Sequence, residues 1–129
     1  MYQINYNQYP DLDEIQTIPT FPLVIEVTPD HELQNLIADL TPETPWGDRQ
    51  RAARKLGYKA SPAAVPALLQ VLPTDPFWMV RCEMILALQK IGDPTAIPTL
   101  QQVAEQDTFQ VVRAYAEKAI ERLTRAKIN

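Results

Sequence analysis

Apolar residues recur at helical spacing in the centre of the chain, and the pattern then stops abruptly. Met84, Leu88 and Ile91 lie on one face of a predicted helix, because they are three or four residues apart. Gly92 is expected to end this helix, since glycine adopts the left-handed conformation that closes many helices. Asp93 is then placed to cap a second helix. The hairpin is apolar on two faces and needs similar hairpins beside it, which predicts an all-α fold.

The pattern repeats along the chain with a period of 32 residues, the separation of Arg49 from Arg81. A fixed period of this size is the signature of a stack of helical hairpins. Each hairpin buries its apolar face only against its neighbours. The predicted units are a half repeat at 28–45, repeats at 46–77 and 78–108, and a half repeat at 109–124.

Glycine and proline set the predicted ends of the other helices. One helix is expected from about Gly47 to Leu56, with Gly57 as its stop. The last helix is expected from about Phe109 to Leu123. Two sets of residues occupy equivalent structural positions in successive repeats. They are Arg49, Arg81 and Arg113, and Leu56, Leu88 and Ile120.

Residues 1–27 do not share the repeat. Their prolines remove backbone donors and favour extended backbone, which predicts an extended N-terminal arm. The arm is rich in apolar residues, so we expect Phe21 to Val27 to pack against the helices of the repeat domain, residues 28–129. The alternative is a tail that orders only on a partner, as in a regulatory subunit whose arm is the bound element.

Charge and composition exclude several classes of partner. The net charge is −4, which argues against nucleic acid binding, because phosphate contacts need clustered Lys and Arg. The single cysteine, Cys82, excludes an internal disulfide and fits a reducing compartment. No basic region followed by an apolar run opens the sequence, and no segment approaches the roughly 20 apolar residues of a membrane span. These features predict a cytoplasmic protein.

The central hairpin resembles the HEAT-like repeats, in the short variety described in phycobilisome lyases. The matching motifs are Val80-Arg81, Ile91-Gly92-Asp93-Pro94 and Ala96-Ile97-Pro98-Thr99-Leu100. The resemblance covers about residues 29–124. It implies a short right-handed α-solenoid, and it is specific for the fold and weak for function.

Three arginines recur at the repeat period, and they allow two interpretations. They could form a stripe that binds anions. Alternatively, each could hold its helix to the acidic residue that ends the preceding one, with Asp75 before Arg81 and Asp107 before Arg113. The second interpretation is favoured, because the resemblance implies such an arginine in every repeat.

Aromatic residues stand in the turns just before the predicted helices. Trp46, Trp78, Phe77 and Phe109 could be interface residues, since aromatic side chains dominate binding energy in many interfaces. The spacing of the two tryptophans by one repeat favours a packing role beneath the helix start. Exposure of Phe77 or Trp78 to solvent would reverse that preference.

Metal and catalytic chemistry find little support. His31-Glu32 resembles the His-Glu pairs of the HEAT-like deoxyhypusine hydroxylase, but one histidine cannot supply the several ligands that a metal site needs. Cys82 follows a cation that would favour a reactive thiolate, yet a buried inert cysteine is commoner. No Ser/His/Asp set and no glycine-rich phosphate loop is present, so neither an enzyme nor a cofactor is predicted.

A non-enzymatic adaptor that binds another protein is the favoured function. The resemblance implies that the second helices line the concave face, where polar residues would bind a partner by hydrogen bonds. The alternative is an accessory or lyase-type subunit in phycobilisome chromophore attachment or antenna assembly. A homodimer is possible through the end helices, with the Tyr115/Ile120/Leu123 face as one end. The predicted protein-binding residues are Gln34, Asn35, Gln70, Gln101, Gln102 and Glu105, with Phe77 and Trp78.

Overall fold

Six α-helices account for most of the described chain in the computed structural model, which describes residues 30–128. Short 3₁₀ turns at Pro62–Ala64, Leu72–Thr74 and Pro94–Ala96 join some of them, and residues 30–128 contain no strand. The predicted arm at 1–27 lies outside the described residues. The helices are α1 His31–Ala38, α2 Trp46–Lys59, α3 Val65–Val71, α4 Trp78–Ile91, α5 Ile97–Gln106 and α6 Gln110–Ile128.

The break between α4 and α5 has the predicted chemistry. Gly92 has φ 79°, the left-handed conformation that ends α4. The carboxylate of Asp93 accepts a hydrogen bond from the backbone N–H of Thr95 at 2.9 Å, which caps the following turn. Ser61 caps the corresponding turn of the preceding repeat, since its hydroxyl accepts from the N–H of Ala63.

The predicted end of α2 is wrong. The helix continues past Gly57 to Lys59 and closes at Ala60, which takes the left-handed conformation with φ 51°. Gly57 instead lies at a close approach of α2 to α4, because a Cβ added there would stand 3.1 Å from the Cα of Ala87. The last helix also runs beyond the predicted end at Leu123, to Ile128.

First helices of successive repeats pack side by side, with α4 between α2 and α6. The second helices pack on them, α1 against α2, α3 against α4 and α5 against α6. Leu56 and Leu88 are completely buried, and Ile120 packs against the same core from a partly buried position. This arrangement confirms the all-α stack of helical hairpins, in which each layer hides the apolar face of the next.

The expected apolar stripe at the end of the stack is not present as one surface. Leu123 is buried in the core at 2% exposure, and Ile120 is partly buried, whereas Tyr115 is 38% exposed. The three residues occupy different environments because α6 packs against both α4 and α5.

Candidate interaction surface

Two buried ion pairs recur one repeat apart with the same geometry. The Nε and Nη2 atoms of Arg49 donate to the two carboxylate oxygens of Asp75 at 2.7 and 3.2 Å. Arg81 and Asp107 form the same pair at 2.7 and 3.0 Å. The side chains of Arg49 and Asp75 are each 3% exposed. A bidentate guanidinium–carboxylate pair of this kind is strong and directional, and we call each pair an Arg–Asp link.

The remaining edge of each guanidinium bonds to a main-chain carbonyl earlier in the chain. Arg81 Nη1 donates to the carbonyl oxygen of Asp75 at 2.7 Å, and Arg49 Nη1 donates to that of Thr44. Each linked arginine therefore bonds to the turn before its own helix and to the aspartate of the turn that follows the next helix.

The predicted carboxylate partners are wrong by one repeat. Asp75 accepts a hydrogen bond from Arg81 through its backbone carbonyl only, and its carboxylate pairs with Arg49. Asp107 likewise offers Arg113 its carbonyl, at 2.5 Å, and gives its carboxylate to Arg81. The guanidinium groups of Arg49 and Arg81 are thus occupied by bonds within the chain, and in residues 30–128 they form no anion-binding stripe.

Arg113 occupies the same register but has no link. Its Nη1 atom is held by the Asp107 carbonyl, as in the previous repeat. No carboxylate among residues 30–128 bonds to its Nε or Nη2, and the side chain is half-buried. The arginine that ends the series is therefore oriented by the protein while one edge of its guanidinium stays available.

The four aromatic residues are exposed, which reverses the packing interpretation. Trp46 stacks on Phe77 with ring centroids 5.7 Å apart, and Trp78 stacks on Phe109 at 6.1 Å. Each of the four is 38–45% exposed. The rings therefore pack in pairs at the surface rather than beneath the helix starts.

The linked arginines support these aromatic pairs from below. The guanidinium of Arg49 lies 5.8 Å from the ring centre of Phe77, and that of Arg81 lies 5.7 Å from Phe109. A cation at this distance from an aromatic face is attracted by the ring's electron density. The exposed aromatics are thus held by the same residues that join the repeats.

The polar residues predicted on the second helices all reach solvent. One of them, Gln102, lines a cleft of about 170 Å³ together with Pro73 of the turn after α3 and Gln106 of α5. Five of these predicted side chains are uncharged amides and one is a carboxylate. The exposed residues are Gln34, Asn35, Gln70, Gln101, Gln102 and Glu105.

Two equivalent seams between first helices differ in chemistry. Between α2 and α4 the seam is closed by an ion pair, in which Arg54 Nε donates to Glu83 at 2.7 Å. Between α4 and α6 the equivalent residues are Leu86 and Tyr115, and a cleft of about 360 Å³ opens there. The repeat pattern alone did not predict this cleft, although the loss of both charges at the repeat positions is a visible signal of it.

Other candidate residues do not assemble a reactive site. Cys82 is buried, and burial raises the pKa of its thiol to about 11 against the opposing effect of Arg81. The thiol is therefore protonated at neutral pH and a poor nucleophile. His31 is exposed, and the described part of the chain contains no group of three or more acidic, histidine or cysteine residues able to hold a metal.

The stacked hairpins, the fixed register and the repeated Arg–Asp links define a helical repeat protein. A family model of HEAT repeats matches residues 33–121, more than two thirds of the sequence. The chain belongs to the HEAT repeat family. A search of curated proteins found no match. Neither result bears on the phycobilisome alternative, which stays a prediction. None of the helices among residues 30–128 combines the length and apolar character of a membrane span.

Proposed function

We propose that this protein is a non-enzymatic adaptor that binds another protein through its exposed aromatic pairs and the polar face of its second helices. The family supports the general role, since HEAT repeats serve as scaffolds for protein interaction. Extended solenoid surfaces suit peptides and protein faces better than small substrates.

The observation that carries the proposal is the exposure of two stacked aromatic pairs. Rigid aromatic side chains supply large contact area at a small cost in conformational entropy, and Trp is enriched among interface residues that dominate affinity. Phe77 and Trp78 are adjacent in the chain but belong to different pairs, so one short segment connects both.

A quantitative capture experiment tests the adaptor role. The full chain would be immobilised and exposed to a lysate of its native source, and retained proteins would be measured by mass spectrometry. The comparison is between wild type, the double variant Phe77→Ala/Trp78→Ala and the control Tyr58→Ala. Tyr58 is 70% exposed and lies against Lys90, outside both aromatic pairs, so it matches the loss of an exposed ring.

We expect wild type and the Tyr58 control to retain the same partner, and the double variant to lose about tenfold or more of it. Circular dichroism would show that the double variant keeps its helices. Equal retention by all three proteins would contradict the assigned surface. Retention of no protein above the empty matrix would contradict the adaptor role.

Cross-linking would locate the polar region of the surface. A photoreactive residue at Gln70 or Gln101 is expected to form an adduct with the captured partner, because both side chains are exposed on second helices. A cytoplasmic location belongs to the proposal, and the single buried cysteine supports it.

A further inference from the structure

A groove on the outer side of α1 and α2 has the lining of an inner seam. It measures about 470 Å³, and its floor is formed by Leu36 and Ala52. Both are already buried, at 8% and 1% exposure, and their counterparts one repeat later, Leu68 and Met84, are completely buried in the core. The groove therefore stands where a preceding first helix would lie if the stack continued.

Two of the charges along this groove have no ion-pair partner among residues 30–128. Glu43 and Lys55 line its rim, and both are exposed. No carboxylate or cation among residues 30–128 forms an ion pair with either of them. Arg51, also on the rim, is paired with Asp48 at 2.9 Å.

The outward face of α6 is charged where the inner first helices are apolar. Glu117 is exposed, whereas its counterparts Ala53 and Ile85 are completely buried. Glu121, which is also exposed, is the counterpart of Gly57, the residue at a close approach of α2 to α4. The face that a following first helix would cover therefore carries carboxylates.

We infer that α6 of one copy docks in the α1–α2 groove of a second copy and continues the 32-residue register from chain to chain. The contacts across this interface are found from those within the chain. Each residue of a first helix is replaced by its equivalent on α6, two repeats later, and its partner by the equivalent residue at the start of the second copy. The Arg49–Asp75 link becomes Arg113 with Glu43 of the second copy. In the α4–α6 seam, where a cleft opens, Gln89 stands at the Gly57 position, so a seam of that kind has room for Glu121, the next residue in this register, to face Lys55 of the second copy.

The two new contacts place opposite charges together, so the ends of the stack are complementary. Arg113 would receive the carboxylate that it lacks within its own chain. Because the two surfaces differ, the association is head-to-tail and does not close on a dimer. The oligomer grows as the protein concentration rises, and added salt weakens the association.

One pair in this register is unfavourable and makes the inference specific. The Arg54–Glu83 ion pair becomes Lys118 with Arg51 of the second copy, two like charges. Replacing Lys118 by Glu would turn this pair into an attractive one. The register thus predicts that one charge reversal strengthens association.

Sedimentation velocity of the full chain at low ionic strength tests the inference over a range of protein concentrations. We expect a rising series of oligomers, and Glu43→Arg or Arg113→Glu each weakening association about tenfold. The double variant Glu43→Arg/Arg113→Glu should restore it, and Lys118→Glu should strengthen it. The control Lys90→Glu reverses an exposed charge on α4, outside both docking faces, and should change nothing.

Three results would overturn the inference. The first is a monomer at every concentration. The second is association that is indifferent to Glu43→Arg and Arg113→Glu. The third is association that appears only after residues 1–27 are deleted, because the groove would then be taken by the chain's own N-terminal segment. The readout needs no adaptor partner, so failure here leaves the proposed function untouched.

Discussion

The linked arginines and the terminal Arg113 occupy the same position of the repeat, yet their side chains have different roles. Arg81 is buried between a backbone carbonyl of the preceding repeat and the carboxylate that ends its own repeat. Arg113 keeps the carbonyl and has no carboxylate within residues 30–128. The difference teaches that position in the stack, rather than local sequence, decides whether the charge joins repeats or remains available.

Removing the two arginines should separate these roles most strongly. Arg81→Ala leaves the buried Asp107 carboxylate without its partner and is expected to cost about 3–5 kcal/mol in the free energy of unfolding. Arg113→Ala leaves no buried charge unpaired, so its cost should be about 1 kcal/mol or less. Urea unfolding at pH 7 measures both, and equal losses would show that the link contributes nothing special.

Two glycine substitutions compare a tight contact with an open one. Gly57→Ala places a methyl group 3.1 Å from the Cα of Ala87, so the helices must move apart. We expect a loss of about 1–3 kcal/mol in unfolding free energy. Gly47→Ala meets no atom within 4 Å and should stabilise α2 by about 0.5–1 kcal/mol. Chemical denaturation of the pair checks this, and the same sign for both would contradict the close approach of α2 and α4.

The cap at the central break should have a smaller effect. Asp93→Ala removes the acceptor for the N–H of Thr95 and is expected to lower the thermal midpoint by a few degrees, about 4 °C. That hydrogen bond lowers the pKa of Asp93, so its stabilisation is present at neutral pH and is lost as pH falls through the lowered pKa.

The difference in thermal midpoint between wild type and Asp93→Ala should therefore become smaller at acidic pH. Asp93→Asn keeps a side-chain acceptor and serves as the control, with a smaller shift of the thermal midpoint at pH 7. A gap that widens at low pH would mean that the carboxylate does not act as the cap.

The ion pair at the first seam should matter least. Arg54 is half exposed, so solvent screens its attraction to Glu83. A double-mutant cycle with Arg54→Ala and Glu83→Ala is expected to show coupling worth about 1–3 °C in thermal midpoint, which added salt reduces further. A coupling that matches the effect of Arg81→Ala would contradict the distinction between surface pairs and buried links.

Local chemistry explains which regions of the fold were predictable. Gly92 ends its helix and Asp93 caps the next turn because both act through their own backbone segment. Gly57 also follows an apolar helix face, yet the 32-residue period aligns Gly92 with Ala60, which closes α2, and Gly57 serves a contact with Ala87 of another helix. The choice between a stop and a close approach depends on which helices become neighbours, and this information is absent from the local pattern.

The surface was only partly predictable for the same reason. The repeat period identified Phe77 and Trp78 as repeat positions, equivalent to Phe109 and Trp46, but spacing alone is compatible with buried and with exposed rings. Their stacking partners, Trp46 and Phe109, lie one repeat away on either side. The carboxylate partners of the arginines were missed because Asp75 contacts two arginines, one through its side chain and one through its main chain.

The most direct test of this account asks which acidic side chain holds Arg81. Two double-mutant cycles would combine Arg81→Met with Asp107→Asn and with Asp75→Asn, with unfolding free energies measured in urea. The Arg–Asp link predicts a coupling of about 1.5–3 kcal/mol with Asp107. The effects of Arg81→Met and Asp75→Asn should add to within about 0.5 kcal/mol, because Asp75 bonds to Arg81 only through its carbonyl. Strong coupling to Asp75 and none to Asp107 would contradict it.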